Sequence, residues 1–177
     1  MELYGERGFD QTTVAEIAAR AGLTERTFFR HYADKREVLF GGAGGMDERL
    51  ANAVAQAPDS ATPLDAAVAG LAMVTALLQE RRAFAARRQK ILSATPELQE
   101  RELIKLASWA GVIADSLRQR GVDNDAATLV AEVAITIFRV AFQRWLDGPR
   151  SGDLTAIFRA ALADLSAHAA LNAAPTS

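Results

Sequence analysis

"AGLTERTFFRHYADK" (Ala21–Lys35) is the stretch on which the reading of this chain turns. Just upstream, Val14, Ile17, Ala18 and Ala21 fall at i, i+3, i+4 and i+7, which puts them on one face of a helix. Thr12 or Thr13 stands where an N-cap belongs, and Glu16 follows Thr13 at the capping-box spacing. Gly22 is the residue that closes such a helix. Thr24 then caps a second short helix, Glu25 to about His31, and Asp34 caps a third starting at Lys35. Two short helices across a tight glycine turn predict a helix-turn-helix. In that arrangement the second helix enters the major groove while the first crosses the backbone.

The second helix carries the side chains such a task needs. Phe28 and Leu23 are expected to face inward onto Val14 and Ile17, while Glu25, Arg26 and Arg30 project outward toward base edges. Arginine is the commonest specific reader of guanine, because its fork of donors matches two acceptors at once. Thr13, Thr24, Thr27, His31 and Lys35 are donors suited to phosphate oxygens, contacts that set register and carry no sequence information. Residues 24–36 hold Arg26, Arg30, Lys35 and Arg36 against Glu25 and Asp34, in a chain whose net charge is -2. The positive charge is therefore a small local footprint rather than a basic blanket.

The rest of the chain frames this segment. Its 177 residues suit one or two domains, and the wealth of alanine and leucine tilts the expectation toward an all-α fold. No cysteine is present, so disulfides and thiolate metal sites are excluded. With no 18-residue apolar run and no signal-peptide pattern at Met1–Tyr4, the expectation is a cytoplasmic protein without membrane contact. Met1–Arg7 reads as the back end of a helix closed by Gly8, as though the first helix were truncated. "GGAGG" (Gly41–Gly45) lacks the Gly-Lys-Ser/Thr ending and preceding strand of a phosphate-binding loop, so a flexible joint is expected there. Breaks at Ala57–Pro63, Ala94–Pro96, Gly121–Asp125 and Asp147–Asp153 leave helices of roughly 64–81, 82–94, 97–119, 124–146 and 153–170. The expected domains are 1–42, a helix-turn-helix unit, and 46–171, a helical unit, with 172–177 a frayed tail.

The second unit shows no catalytic set. His31 and His168 are the only histidines, and Ser166 and His168 are two apart on a helix and diverge. No enzyme, no metal and no cofactor are expected. Leu129, Val130, Val133, Ile135, Ile137, Phe138, Val140, Phe142, Trp145 and Leu146 surround the helix that carries them, so it must be covered on several sides. The last helix has a one-face stripe of Leu154, Ile157, Phe158, Ala161, Leu162 and Leu165. Both helices fit a four-helix bundle with a second subunit, with Phe142, Trp145, Phe158, Leu162 and Leu165 at the interface; burial within one subunit is the other reading. Arg81, Arg82, Arg87, Arg88 and Lys90 are five cations in ten residues. Either they meet an anionic head group, with Phe84, Arg88, Trp109, Phe138 and Phe142 lining an effector pocket, or they pair with Glu80, Glu97 and Glu100 at the surface.

"GFDQTTVAEIAARAGLTERTFFRHYADKREVLF" (Gly8–Phe40) resembles, without a gap, the N-terminal domain of tetracycline-repressor-type (TetR) transcriptional regulators. The resemblance implies an all-helical homodimer that binds a palindromic operator and is released by a small apolar or amphipathic effector. It places Glu25, Arg26, Arg30 and Phe29 at base-facing positions, and Thr13, Thr24, Thr27, His31 and Lys35 at backbone-contact positions. Phe29 stands where the family usually has tyrosine, so a hydrogen bond is lost and only packing on sugar or a thymine methyl remains. Arg81–Leu117, with an arginine pair followed by I-L-x-x-x-P-E-L-x-x-R, resembles the C-terminal domain of the mycofactocin-system regulator subgroup, which implies an acyl-coenzyme-A-like effector. The expected function is a ligand-responsive repressor; the alternative is a helical small-molecule-binding protein whose reading head no longer grips DNA.

Overall fold

A computed structural model describes residues 1–40 and 45–173. Those residues form helices and turns: α1 (Glu2–Arg7), α2 (Val14–Arg20), α3 (Glu25–His31), α4 (Glu37–Phe40), α5 (Met46–Ala55), α6 (Pro63–Glu80), α7 (Arg82–Ser93), α8 (Pro96–Gln119), α9 (Asn124–Asp147) and α10 (Leu154–Ala173). The fold is all-α, with the elements in the order expected from the sequence. Most of the "GGAGG" joint, and the tail beyond Ala173, lie outside the described residues.

The local chemistry explains the first helices. Thr13 is the N-cap of α2: its hydroxyl accepts from the Glu16 N–H at 3.2 Å, and its own N–H donates to the Glu16 carboxylate at 2.9 Å. A cap of this kind contributes about 1 kcal/mol. At the other end, Gly22 at φ 68° lets the Leu23 N–H reach back to the Ala18 carbonyl at 2.8 Å and its own N–H reach Ala19 at 3.1 Å. That crossed pair satisfies carbonyls the helix end would leave bare. Thr24 caps α3, accepting from the Thr27 N–H at 3.2 Å. Asp34 takes the N–H groups of Arg36 (2.8 Å) and Glu37 (3.3 Å), so α4 begins at Glu37 and Lys35 stays in the turn before it. Leu23, expected inside, is 46% exposed. The backbone reversal that uses its N–H holds it at the corner, and Phe28 alone of that pair is buried.

Two compact units divide the chain. The first joins Met1–Met46 with Ala83–Lys105, and its core is Tyr4, Phe9, Leu39, Phe40, Ile91, Leu92 and Leu98. The helix-turn-helix thus shares its core with α7 and the start of α8, a grouping that cuts across the boundary expected near residue 42. The second unit is Asp47–Arg82 with the residues from Leu106 onward. There α6, α9 and α10 pack on one another. Ala127, Ala131, Ala134, Phe138, Ala141 and Trp145 form a buried stripe along α9, stepping by four and three residues in turn. Small side chains on that stripe let helices approach closely. Gly70 does the same for α6, because a Cβ there would stand 2.8 Å from Val54 Cγ2 on α5.

Candidate nucleic-acid interface

Seven residues of α3 set the geometry of the candidate interface. With about 100° per residue, Glu25, Phe29, Arg26 and Arg30 share one arc of the helix, and Phe28 lies on the other side. The four are exposed and Phe28 is buried. Among the described residues, neither Glu25 nor Arg26 has an ion pair or a side-chain hydrogen bond, and Arg30 only approaches the His31 ring at 3.4 Å. These side chains have donors and an acceptor to spend on a partner. Phe29 is 53% exposed, with its ring edge-on to Phe28 at 5.5 Å.

The expected backbone-contact residues divide into two kinds. Thr13 and Thr24 are exposed caps at the starts of α2 and α3; Thr27 is half-buried and shares a 3.1 Å hydroxyl contact with Thr24; His31 is exposed. Hydrogen bonding from the Thr13 backbone, then from its hydroxyl, holds the Glu16 carboxyl below the usual carboxylate range. Lys35 is different. Its ammonium donates to the carbonyls of Phe9 (2.9 Å), Thr12 (3.1 Å) and Asp10 (3.2 Å) and sits 4.4 Å from the Phe9 ring. An ammonium has three donors, so none remains for a phosphate. The expectation of a phosphate contact at Lys35 is corrected accordingly: this lysine fastens the loop ahead of α2.

The cations of residues 81–90 also separate. Arg88 donates to the Leu39 carbonyl at 2.8 Å, pairs with Glu102 at 2.5 Å and lies 4.8 Å from the Phe40 ring. It is committed within the first unit and is not available as an effector-binding cation. Arg101 pairs with Glu37, and Arg36 pairs with Asp34 and, at 2.5 Å, with Glu97. The Arg36 side chain, hydrogen-bonded to Asp34, holds the Asp34 carboxyl below its ordinary value. Arg82 stacks 4.7 Å from the Trp145 ring and donates to the Gly148 carbonyl at 3.1 Å, closing the end of α9. Arg120 binds the carbonyls of Ala57 (2.7 Å) and Pro58 (2.8 Å) after α5. Sequence reasoning missed the roles of Arg82 and Arg120. Their partners lie more than sixty residues away, and no local spacing announces such a pair.

Of the five expected pocket residues, three come together. Trp109 and Phe138 have ring centroids 6.1 Å apart, and Phe138 and Phe142 are likewise 6.1 Å apart and stacked, all in the second unit. Trp109 also donates to Asp47 at 3.1 Å. Phe84 and Arg88 belong to the first unit. The expected interface residues split as well. Trp145 and Phe158 are wholly buried inside the second unit and have no surface to offer a partner, because the Arg82 guanidinium and the Phe138 ring cover them. Phe142 and Leu162 are half-buried, and Leu165 is 45% exposed. No helix among the described residues is long and apolar enough to cross a membrane.

Comparison with known proteins concerns the family and the fold. A family model described as bacterial regulatory proteins, tetR family, matches residues 1–40, and one described as the MftR C-terminal domain matches residues 61–170. The chain is 28% identical over 149 residues to a protein of Mycobacterium tuberculosis described as a mycofactocin biosynthesis transcriptional regulator, MftR; the match covers 82% of this chain and 75% of that one. It is 38% identical over 66 residues to the HTH-type transcriptional regulator TcmR of Streptomyces glaucescens, covering 37% of this chain and 29% of that one. Among solved structures, FadR of Thermus thermophilus, a TetR-family repressor in complex with lauroyl-CoA, superposes with a TM-score of 0.60 at 21% identity, over 93% of this chain and 88% of that one. The TetR-family regulator PfmR, also of Thermus thermophilus, gives 0.52 at 20% identity over 90% of each chain. At such identities these likenesses concern the fold.

Proposed function

The chain belongs to the tetR family of bacterial regulatory proteins and carries the MftR C-terminal domain, and from that premise we propose that it is a dimeric repressor released from a palindromic operator by an amphipathic effector. The observation that carries the proposal is the exposed arc of Glu25, Arg26, Phe29 and Arg30 on α3, whose charged members pair with no carboxylate, lysine or arginine among the described residues. A recognition helix needs such a face, since its donors must be free to meet base edges. Thr13, Thr24, Thr27 and His31 hold the phosphates on either side, and in this reading the chain acts by binding rather than by turnover, in the cytoplasm.

The second unit supplies the other half of the proposal. Trp109, Phe138 and Phe142 form the apolar floor for an effector, and the FadR neighbour, crystallised with lauroyl-CoA, makes a long-chain acyl-CoA the first probe. Leu129 and Val140 on α9 are 65% and 43% exposed, and with Leu165 on α10 they support a second copy of the chain as the cover. Large apolar side chains left in water at several points of two adjacent helices mark an interface more often than a free surface.

The test is a gel shift on the DNA upstream of the protein's own gene, with and without lauroyl-CoA. A retarded band that lauroyl-CoA abolishes is the expected result. A chain that retards no duplex from that region overturns the repressor reading and favours a binding protein without operator activity.

A further inference from the structure

The guanidinium of Arg82 is anchored on one side and unpartnered on the other. Its Nη2 donates to the carbonyls of Gly148 (3.1 Å) and Leu146 (3.5 Å), and its central carbon lies 4.7 Å from the centroid of the Trp145 ring. Its Nη1 is buried and has no hydrogen-bond partner among the described residues. No described carboxylate pairs with it either. Asp147 accepts from the Gln143 amide at 3.0 Å, and Asp153 accepts from the N–H groups of Thr155 (2.8 Å) and Ala156 (3.3 Å) at the start of α10. A buried cation with an unmade hydrogen bond is costly, and carbonyl dipoles offset only part of its charge. The place of this group matters as much as its state. Phe138, Phe142 and Trp145 fall at i, i+4 and i+7 on one face of α9 and span about 10 Å along its axis. Successive ring centroids are 6.1 and 5.8 Å apart. The aromatic floor assigned to the effector therefore continues past Phe142 to Trp145 and ends at Arg82, all within the second unit.

We propose that Arg82 is the charge-reading residue of the effector site: the effector carries an oxyanion, a carboxylate or a phosphate, that accepts from the Arg82 Nη1 while its apolar body lies along Phe142 and Phe138. The proposal rests on the reading of the second unit as an effector-binding domain, and adds to it the charge of the ligand and the residue that recognises it. Arg88, which looks the same in sequence, cannot take this part, because Glu102 already meets its charge. A row of rings selects an apolar body but does not tell an acid from an alcohol of equal length. A guanidinium with a spare donor does, since only the anion both accepts its hydrogen bond and balances its charge.

The full-length chain is titrated by calorimetry with three probes that share a twelve-carbon chain: laurate, lauroyl-CoA and dodecanol. A hydrogen bond to a charged group changes affinity about tenfold. Wild type is expected to bind at least one of the two anions more tightly than dodecanol by that factor. Preference for laurate alone identifies a carboxylate as the oxyanion, and preference for lauroyl-CoA alone identifies a phosphate. Arg82→Gln keeps an amide donor for the Gly148 carbonyl and is expected to bind the preferred anion no better than dodecanol, with its affinity for dodecanol unchanged. Arg82→Lys restores the charge and should recover most of the preference, which a purely structural role would not produce. Should Arg82→Gln fail to fold, the wild-type comparison and Arg82→Lys still decide. Wild type that binds dodecanol as tightly as both anions overturns the proposal. Arg82→Gln that keeps the anion preference overturns the assignment to this residue. A chain that binds none of the three overturns the effector-site reading beneath it.

Discussion

On α3, Arg26 and Arg30 stand in solvent with no carboxylate partner among the described residues, whereas Arg36, Arg88 and Arg101, all in the same compact unit, each close on one. Two of that second group, with Lys105, surround the end of α4: Arg88 and Lys105 donate to the carbonyls of Leu39 and Phe40, and Arg88 and Arg101 lie 4.8 and 5.5 Å from the Phe40 ring. The same residue type stands free in one place, where the proposed function needs it to face DNA, and is a clamp in the other. The difference is the carboxylates. Glu37, Glu97 and Glu102 come from α4 and α8 to meet the clamp, while Glu25 shares the exposed arc of α3 without closing on either arginine.

Substitutions that exchange these roles test the contrast. Arg26→Ala should leave the urea midpoint of unfolding unchanged and cost about 1–3 kcal/mol of discrimination between operator and shuffled duplex, measured by competition gel shift. Arg88→Ala should do the reverse: about 2 kcal/mol of folding stability, discounted from a fully buried pair because the Arg88 side chain is 15% exposed, with a lower urea midpoint as the readout. Equal effects of the two on stability would erase the distinction. Lys35→Met keeps the stem beside Phe9 but removes three donors, so it should destabilise the fold by about 1 kcal/mol and leave the salt slope of DNA binding where it was. A slope reduced by about one would return Lys35 to the phosphates. The smallest effect is in acid. The Asp34 carboxyl titrates below its ordinary value in the folded chain, so its contribution is present above about pH 4 and is lost as the pH falls through the lowered value. The drop in thermal midpoint from pH 6 to pH 3 should therefore be smaller in Asp34→Asn than in wild type.

The contrast also shows what the sequence makes legible. The caps at Thr13 and Thr24, the turn at Gly22 and the buried Phe28 follow from signals within four residues of one another, and they appear in the structure as expected. The same is true of the all-α order and of family membership, which rests on the Gly8–Phe40 and Arg81–Leu117 motifs. Illegible are the long-range partners. Five cations between Arg81 and Lys90 look alike in sequence, yet Arg88 ends on Leu39 and Glu102, and Arg82 on Trp145. Lys35 looks available in sequence because nothing near it shows three carbonyls converging from residues 9–12. Trp145 and Phe158 read as subunit-interface residues, with burial inside one subunit as the other reading, because an apolar row does not say which neighbour covers it.

The shared core of the first unit bears on how such regulators can be recombined. Ile91, Leu92 and Leu98 form one wall of the core that Tyr4, Phe9, Leu39 and Phe40 complete. A reading head cut out after Phe40 and grafted onto a foreign sensor would leave that wall behind and expose aromatic rings to water. A chimera that exchanges operator specificity must either transplant α7 and the first turns of α8 with the head, or change only the exposed arc of α3 and leave the shell intact.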